Sequence, residues 1–281
     1  MTSFFVNLPL KFIYHDPEIF ELFLRNKFSP ELGIDAEMLD TNDSGWHLSK
    51  NEALARQGLA ASIHMPFLDL KPGSFDRRIR RASAESLEEA ALFAKHYHPK
   101  HIIVHSGYFP GIYDEYYSKW LDNSVTTWSH FLDLVPDVPV YMENVYEQEP
   151  RQLQDLLTEL GGKVGFCFDV GHWFSFGRGE SKQDLSFWLQ SMGPFLRHLH
   201  LHDNTGCKDE HLGLGAGSIP FSTLFSGLQL LDISPTFTLE PHTRHDLIQS
   251  LDYMLGHESW FSLLGLSKDD FEHLQEIVSI S

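Results

Sequence analysis

The feature that most constrains this chain is an alternation of short apolar runs, bounded by turn residues, with longer segments of helical period. Repeated β-then-α units of this kind assemble around a parallel sheet, because each crossover helix covers a sheet face. Eight runs qualify as strands: residues 3–8 (SFFVNL), 33–39 (GIDAEML), 59–64 (LAASIH), 101–106 (HIIVHS), 138–144 (VPVYMEN), 164–169 (VGFCFD), 197–202 (RHLHLH) and 235–240 (PTFTLE). Strands covered on both faces are expected to be nearly continuous apolar runs rather than strictly alternating ones, and most of these are. Between them, residues 78–96 place Ile79, Ala82, Leu87, Ala90, Ala91 and Ala94 on one helical face, and 115–134 do the same with Tyr117, Leu121, Val125, Trp128 and Leu132. Pro150 opens a helix with a Leu153, Leu156, Leu157 and Leu160 stripe, which Gly161-Gly162 stops. Further helices fit near 17–26, 48–57, 183–193, 220–230, 244–255 and 267–278. Eight such pairs in 281 residues predict an α/β chain folded as a single (β/α)8 barrel domain over 1–281, with an open doubly wound sheet as the alternative. No linker or composition break divides the chain.

Charge narrows the partners. The balance of 21 Lys+Arg against 39 Asp+Glu gives −18, a surface that repels phosphate backbones and disfavours nucleic acid, although a basic patch or bound metal can reverse this locally. The one basic cluster, Arg77, Arg78, Arg80 and Arg81, is expected to be a solvated helix face. No uninterrupted apolar window long enough for a membrane span occurs, and Met1-Thr2-Ser3-Phe4 lacks the start of a signal peptide, so a cytoplasmic protein is expected. Cys167 and Cys207 allow at most one disulfide and form no CxxC pair. The 17 histidines, many at the ends of apolar runs, direct attention to metal or proton chemistry.

In a (β/α)8 barrel the catalytic groups come from the C-terminal strand ends and the loops that follow. Those ends carry His64, His105, Glu143, Asp169 followed by His172, His200 followed by Asp209-Glu210-His211, and Glu240. Four carboxylates converging on one rim without compensation would be very costly, and divalent cations supply the missing charge. Mixed His, Asp and Glu donors suit zinc, manganese or iron better than magnesium or calcium, and nine donors exceed the needs of one four-coordinate ion. Two or three ions are therefore expected.

The ordered series His64-x-Pro-Phe, Val-His105-x-Gly, Glu143-Asn, Asp169-x-Gly-His172, His200-x-His-Asp203, Asp209-x-His211 and Glu240 resembles the xylose isomerase-like TIM-barrel superfamily, and within it the endonuclease IV branch (AP endonuclease family 2). The resemblance is densest from His64 to Glu240. It implies that His64 and His105 hold one metal and share Glu143 with a second. Asp169, His200 and Glu240 would complete the second site, and His172, Asp209 and His211 would hold a third. In that family three zinc ions cleave a phosphodiester; the bridged pair lowers the pKa of a shared water to give a hydroxide nucleophile, and the third ion stabilises the leaving oxygen.

The sugar isomerases and epimerases resemble a subset of the same residues. There Glu143, Asp169, His200 and Glu240 would chelate one ion, and Glu143 and Glu240 would exchange a proton through an enediolate. The larger donor set favours hydrolysis of a phosphate ester or phosphodiester, with His172 joining Glu143 and Glu240 as catalytic residues. The acidic surface and the lack of long Arg-rich and aromatic loops favour a small sugar or phosphorylated substrate over DNA. A third expectation is a non-catalytic, metal-binding or partner-docking barrel. Phe67, Trp173, Arg178, His202 and Lys208 are the candidate substrate contacts. Gly213-x-Gly215-x-Gly217 is expected to shape a loop rather than bind phosphate, and His15, His47, His96, His98, His101 and His130 show no ligand spacing.

Overall fold

The computed structural model describes residues 4–41 and 44–280. Eight parallel strands follow one another around a closed barrel: β1 (Phe4–Pro9), β2 (Pro30–Gly33), β3 (Ser62–His64), β4 (Ile102–His105), β5 (Val140–Glu143), β6 (Val164–Asp169), β7 (Leu196–Leu201) and β8 (Thr236–Leu239). Closure comes from β1 pairing with β8 in the register Phe4↔Phe237 to Val6↔Leu239. This is the (β/α)8 arrangement expected from the alternation, with helices between successive strands.

One strand lies elsewhere than the sequence suggested. The 33–39 run divides, its first residue ending β2 and Ala36–Thr41 forming a helix, which begins where the Asp35 side chain accepts from the Met38 amide at 3.1 Å. The true strand starts with a proline, which is tolerated at a first strand position, and continues with a carboxylate, Glu31, that is fully buried. Both residue types argue against a strand when read singly.

The strands also alternate more strictly than expected. Val6, Leu32, Ile63, Ile102, Val104, Met142, Phe166, Phe168, Leu199, Leu201, Phe237 and Leu239 belong to the buried apolar cluster beneath the helices. The intervening positions meet inside the barrel, where Phe5 packs against His101 and His198, and Tyr141 against both of those rings. Side chains two residues apart share a face. His198, His200 and His202 therefore ascend one inner wall, and Thr236, Thr238 and Glu240 the next.

The helices present apolar faces as the periodicity requires, with shifts in detail. Arg77–Ala94 is capped by Asp76, whose side chain accepts from the Arg78 amide at 2.8 Å, and it buries Leu87, Ala90, Ala91, Phe93 and Ala94 while Ile79 faces out. Arg77, Arg78 and Arg81 are exposed, Arg78 pairing with Asp76 and Arg81 with Glu85, while the half-buried Arg80 donates to the Ser74 carbonyl at 2.6 Å. Tyr117–Leu134 turns Trp120, Trp128 and Phe131 into the core, leaving Tyr117, Leu121 and Val125 along the flank. Among the described residues no helix is long and apolar enough to cross a membrane.

Candidate metal centre

All nine candidate donors gather at the C-terminal end of the barrel. Glu143, the last residue of β5, is at the centre. Its Oε2 lies 3.2 Å from His64 Nε2, 2.8 Å from His105 Nε2 and 3.4 Å from His200 Nδ1, and its Oε1 lies 3.0 Å from His172 Nδ1. His200 Nδ1 also faces Glu240 Oε1 at 3.3 Å and Asp169 Oδ2 at 3.8 Å. On the outer side Asp209 Oδ2 joins His172 Nε2 (3.3 Å) and His211 Nε2 (3.0 Å). His64–Glu143–His200, Glu143–Asp169–His172 and His172–Asp209–His211 each offer donor atoms within 4.8 Å of one another.

Local structure aims these groups. His64 Nδ1 donates to the Met65 carbonyl (3.1 Å) and His211 Nδ1 to the Glu240 carbonyl (2.9 Å), which leaves each Nε2 turned to the cluster. Asn144 ties β5 to β6 by donating to the Asp169 carbonyl and accepting from its amide, both at 2.9 Å. Asp169 Oδ1 accepts from the His172 amide, starting the short helix Val170–Phe174 that carries the imidazole inward. The loop bearing Asp209 and His211 is wrapped on Asp203, which accepts from the amides of Asn204 (2.9 Å), Gly215 (3.0 Å) and Ile219 (3.1 Å). A side chain at Gly217 would overlap Asp203 and Asn204, which explains the glycine-rich loop as the shaping element expected. His211 itself has φ +52°, a left-handed conformation that costs a non-glycine residue about 1–3 kcal/mol and is retained where a side chain must point one way.

The buried polar atoms fit a cationic guest. His200 Nδ1, His202 Nδ1 and Nε2, His105 Nδ1, Asp169 Oδ2 and Asp209 Oδ1 are all buried without an aligned hydrogen-bond partner. Each such atom costs about 1–3 kcal/mol if left unsatisfied, and a concentration of them marks a place for an ion. Imidazole and carboxylate donors suit zinc, manganese or iron.

Electrostatics point the same way. Burial alone would raise the Glu143 carboxyl, but the His200 and His105 imidazoles hold it well below the usual range. Burial likewise opposes charge on His172 and His200, yet Asp169, Asp209 and Glu143 push His172, and Cys167 with Glu240, Glu143 and Glu31 push His200, well above an ordinary histidine. His105 moves down, because burial outweighs Glu143. His211 is half-buried, which opposes its charge, but Asp209 and Glu240 lift it to about 9. Its folded value exceeds the unfolded one of about 6.5, so its stabilisation is complete below pH 6.5 and disappears as pH rises through 9. The unfolding midpoint of chelator-treated protein should fall between pH 6.5 and 9; a flat or rising midpoint across that window would contradict this pairing.

Above the cluster lies a cavity of about 540 Å³, within the range of small-molecule sites. His64, His105, Glu143, His172, Asp209, His211 and Glu240 form its polar wall, and Phe67 and the 79% exposed Leu68 its apolar lip. Of the candidate substrate contacts, Phe67 is therefore at the cavity. His202 is fully buried behind it, with Nε2 3.3 Å from Asp169 Oδ1 and its ring stacked 3.8 Å from His211. Trp173 is a core residue whose Nε1 donates to Asp184 at 2.9 Å, a correction to the expected aromatic wall. Arg178 and Lys208 are exposed and do not line the cavity. Gly171 explains how His202 is seated: a Cβ there would lie 1.9 Å from its ring. Gly171→Ala should cost about 1–3 kcal/mol of stability and weaken metal uptake, checked by thermal unfolding and metal titration; unchanged values would show that the ring has room to move.

Several residues escaped the sequence reading. Asn7 donates to Glu240 Oε1 at 3.0 Å, His242 stacks 4.0 Å from His211 at the cavity, and Glu31, His101 and His198 lie inside the barrel. The usable signal was the two-residue spacing of His198, His200 and His202.

Fold and donor set together define a (β/α)8 barrel with a metal-competent mouth. The chain belongs to the xylose isomerase-like TIM barrel family, whose pattern it matches over residues 30–261. It is 29% identical over 201 residues to an uncharacterized protein of Methanocaldococcus jannaschii, 68% of each chain. A second uncharacterized protein of that organism is 26% identical over 227 residues, covering 79% of this chain and 85% of the relative. Among solved structures, a D-tagatose 3-epimerase-like protein superposes with a TM-score of 0.75 at 22% identity, covering 94% of this chain and 98% of its own. A Thermus thermophilus protein soaked with ZnCl2 gives 0.72 at 22%, covering 95% and 100%. The 3-keto-D-glucoside 4-epimerase of E. coli gives 0.67 at 14%, covering 92% and 100%. At these identities the structural likeness establishes the fold.

Proposed function

We propose that this protein is a metal-dependent isomerase or epimerase of a small sugar or sugar phosphate, moving a proton on a carbon next to a carbonyl. The observation that carries this reading is the approach of two carboxylates, Glu143 and Glu240, to the same nitrogen of His200 at 3.4 and 3.3 Å, on the wall of a cavity of small-molecule size. The epimerase names of the structural neighbours support it and displace the hydrolytic preference drawn from the sequence.

Glu143, Asp169, His200 and Glu240 would hold a divalent ion that polarises a carbonyl and the neighbouring hydroxyl. Glu143 is kept ionised by its imidazole neighbours and so is available as a base. One group, as the carboxylate, takes the proton, the C–H electron pair moves toward the carbonyl oxygen to give an enediolate, and the other, entering as the carboxylic acid, donates its proton to carbon. Donation to the opposite face of the same carbon, with the carbonyl re-formed, gives the epimer; donation to the former carbonyl carbon, with the neighbouring hydroxyl proton passing to the former carbonyl oxygen, gives the isomer. Asn7 fixes Glu240, while Phe67 and Leu68 shield the substrate from water.

The test is to incubate the Mn2+-loaded protein with a panel of ketoses and ketose phosphates in D2O and follow the α-hydrogen by NMR. Deuterium incorporation with appearance of an epimer or aldose is expected; absence of exchange with every member would overturn the reading. A second reading, phosphoester hydrolysis, is favoured by one observation: His64, His105, Asp209 and His211 also meet at the cluster, although a mononuclear isomerase has no metal-binding need for them. About three ions per chain together with phosphoester cleavage would select it; a single ion would exclude it.

A further inference from the structure

Barrels of this class fill their interior with branched apolar side chains. Beneath the donor cluster this one instead holds a carboxylate. Glu31, on β2, is fully buried and does not line the cavity. Its Oε2 accepts from Ser62 Oγ at 3.1 Å and from Thr238 Oγ1 at 2.8 Å, and its Oε1 lies 3.0 Å from His200 Nε2, two buried atoms that have no other hydrogen-bond partner and are not aligned as a hydrogen bond with the ring as it stands. Three strands thus hold one carboxylate beneath the donor cluster; of the imidazoles around it His200 is the nearest, with His101 Nε2 at 3.6 Å and His198 Nε2 at 3.7 Å from the other oxygen. Nothing in the chemistry of the cavity above requires a charge at this depth, and an ion so placed is costly unless it serves a partner.

We propose that Glu31 is a positioning residue for His200, accepting the Nε2 proton so that Nδ1 presents its lone pair to the space between Glu143, Asp169 and Glu240. This rests on the reading of His200 as a metal donor, and on nothing about the substrate. An ionised carboxylate only accepts hydrogen bonds, and an imidazole that has given up its Nδ1 proton to a metal ion carries one proton. A proton held at Nε2 therefore leaves Nδ1 free, and the carboxylate also makes that nitrogen a stronger donor. The neighbouring imidazole does not replace Glu31's partner: His198 already meets Thr236 Oγ1 at 2.7 Å and Thr238 Oγ1 at 2.8 Å. Since the Thr238 hydroxyl has a single proton and gives it to Glu31, His198 Nε2 must be the donor to Thr238. The interior network thereby runs one way, toward the Glu31 carboxylate.

Glu31→Gln inverts the arrangement while keeping the volume. The amide oxygen takes the place that accepts from Ser62 and Thr238, the NH2 group turns to His200 Nε2, and the ring proton moves to Nδ1, where it blocks the donor. Titration with Zn2+ against a competing chelator should show affinity about 10–100-fold weaker than wild type, with Glu31→Asp restoring part of it. In the Zn2+-loaded wild type, side-chain 15N NMR should show His200 metal-bound at Nδ1 and protonated at Nε2, a readout that needs no variant to fold. Wild-type affinity in a folded Glu31→Gln protein, or coordination of His200 through Nε2, would overturn the proposal. Failure of deuterium exchange with intact Zn2+ binding would instead count against the sugar reading alone.

Discussion

Glu143→Ala should strip the protein of its bound divalent metal, and turnover should fall about 10²–10⁴-fold as the candidate proton-transfer carboxylate is lost. The reason is geometric. Among the described residues Glu143 is the one side chain whose oxygens lie within 3.4 Å of four imidazoles, those of His64, His105, His172 and His200. Without it those rings face one another with no intervening anion, and every grouping of donors that includes them loses its centre. Elemental analysis of purified protein, with turnover measured on the same sample, checks the prediction. Retention of the metal at wild-type stoichiometry would contradict the central position of Glu143. Unchanged turnover would point to the non-catalytic barrel.

Glu240→Gln should act differently, because Glu240 stands at one side of the cluster. Its Oε1 is 3.3 Å from His200 Nδ1 and is held by the Asn7 amide at 3.0 Å, while Glu143 lies across the same nitrogen. A glutamine keeps the shape and an oxygen donor but cannot carry a proton. Formation of the epimer or isomer should fall about 10²–10⁴-fold, while the substrate whose α-hydrogen faces Glu143 continues to exchange with solvent. Following exchange and product in one D2O reaction separates the two. A parallel loss of exchange and product from both substrates would show that the carboxylates do not divide the proton transfer.

How much of this was legible in the chain depends on how locally each feature is encoded. β6 was read with its bounds intact at 164–169, since VGFCFD is apolar and ends in a carboxylate that caps the next helix. β2 was misplaced because Pro30 and Glu31 each argue against a strand, and the residue that occupies the barrel interior was set aside with it. Trp173 was expected at the substrate wall from its place beside His172. Its neighbour points to the cluster, but the short helix after Asp169 turns the indole the other way, into the core. His101 shows no ligand spacing, and His198 escaped notice, because their partners, Phe5, Tyr141, Thr236 and Thr238, come from other strands.

The sequence by itself determined the alternation of strands and helices, the end of each strand at which donors accumulate, and the chemical type of those donors, because periodicity and residue identity are local properties. Tertiary structure alone decided that Glu143 is the hub, that Trp173 belongs to the core and that Glu31 sits under His200. Those relations join residues separated by up to about 170 positions through barrel closure, and no local pattern records which side chains a closed sheet brings face to face.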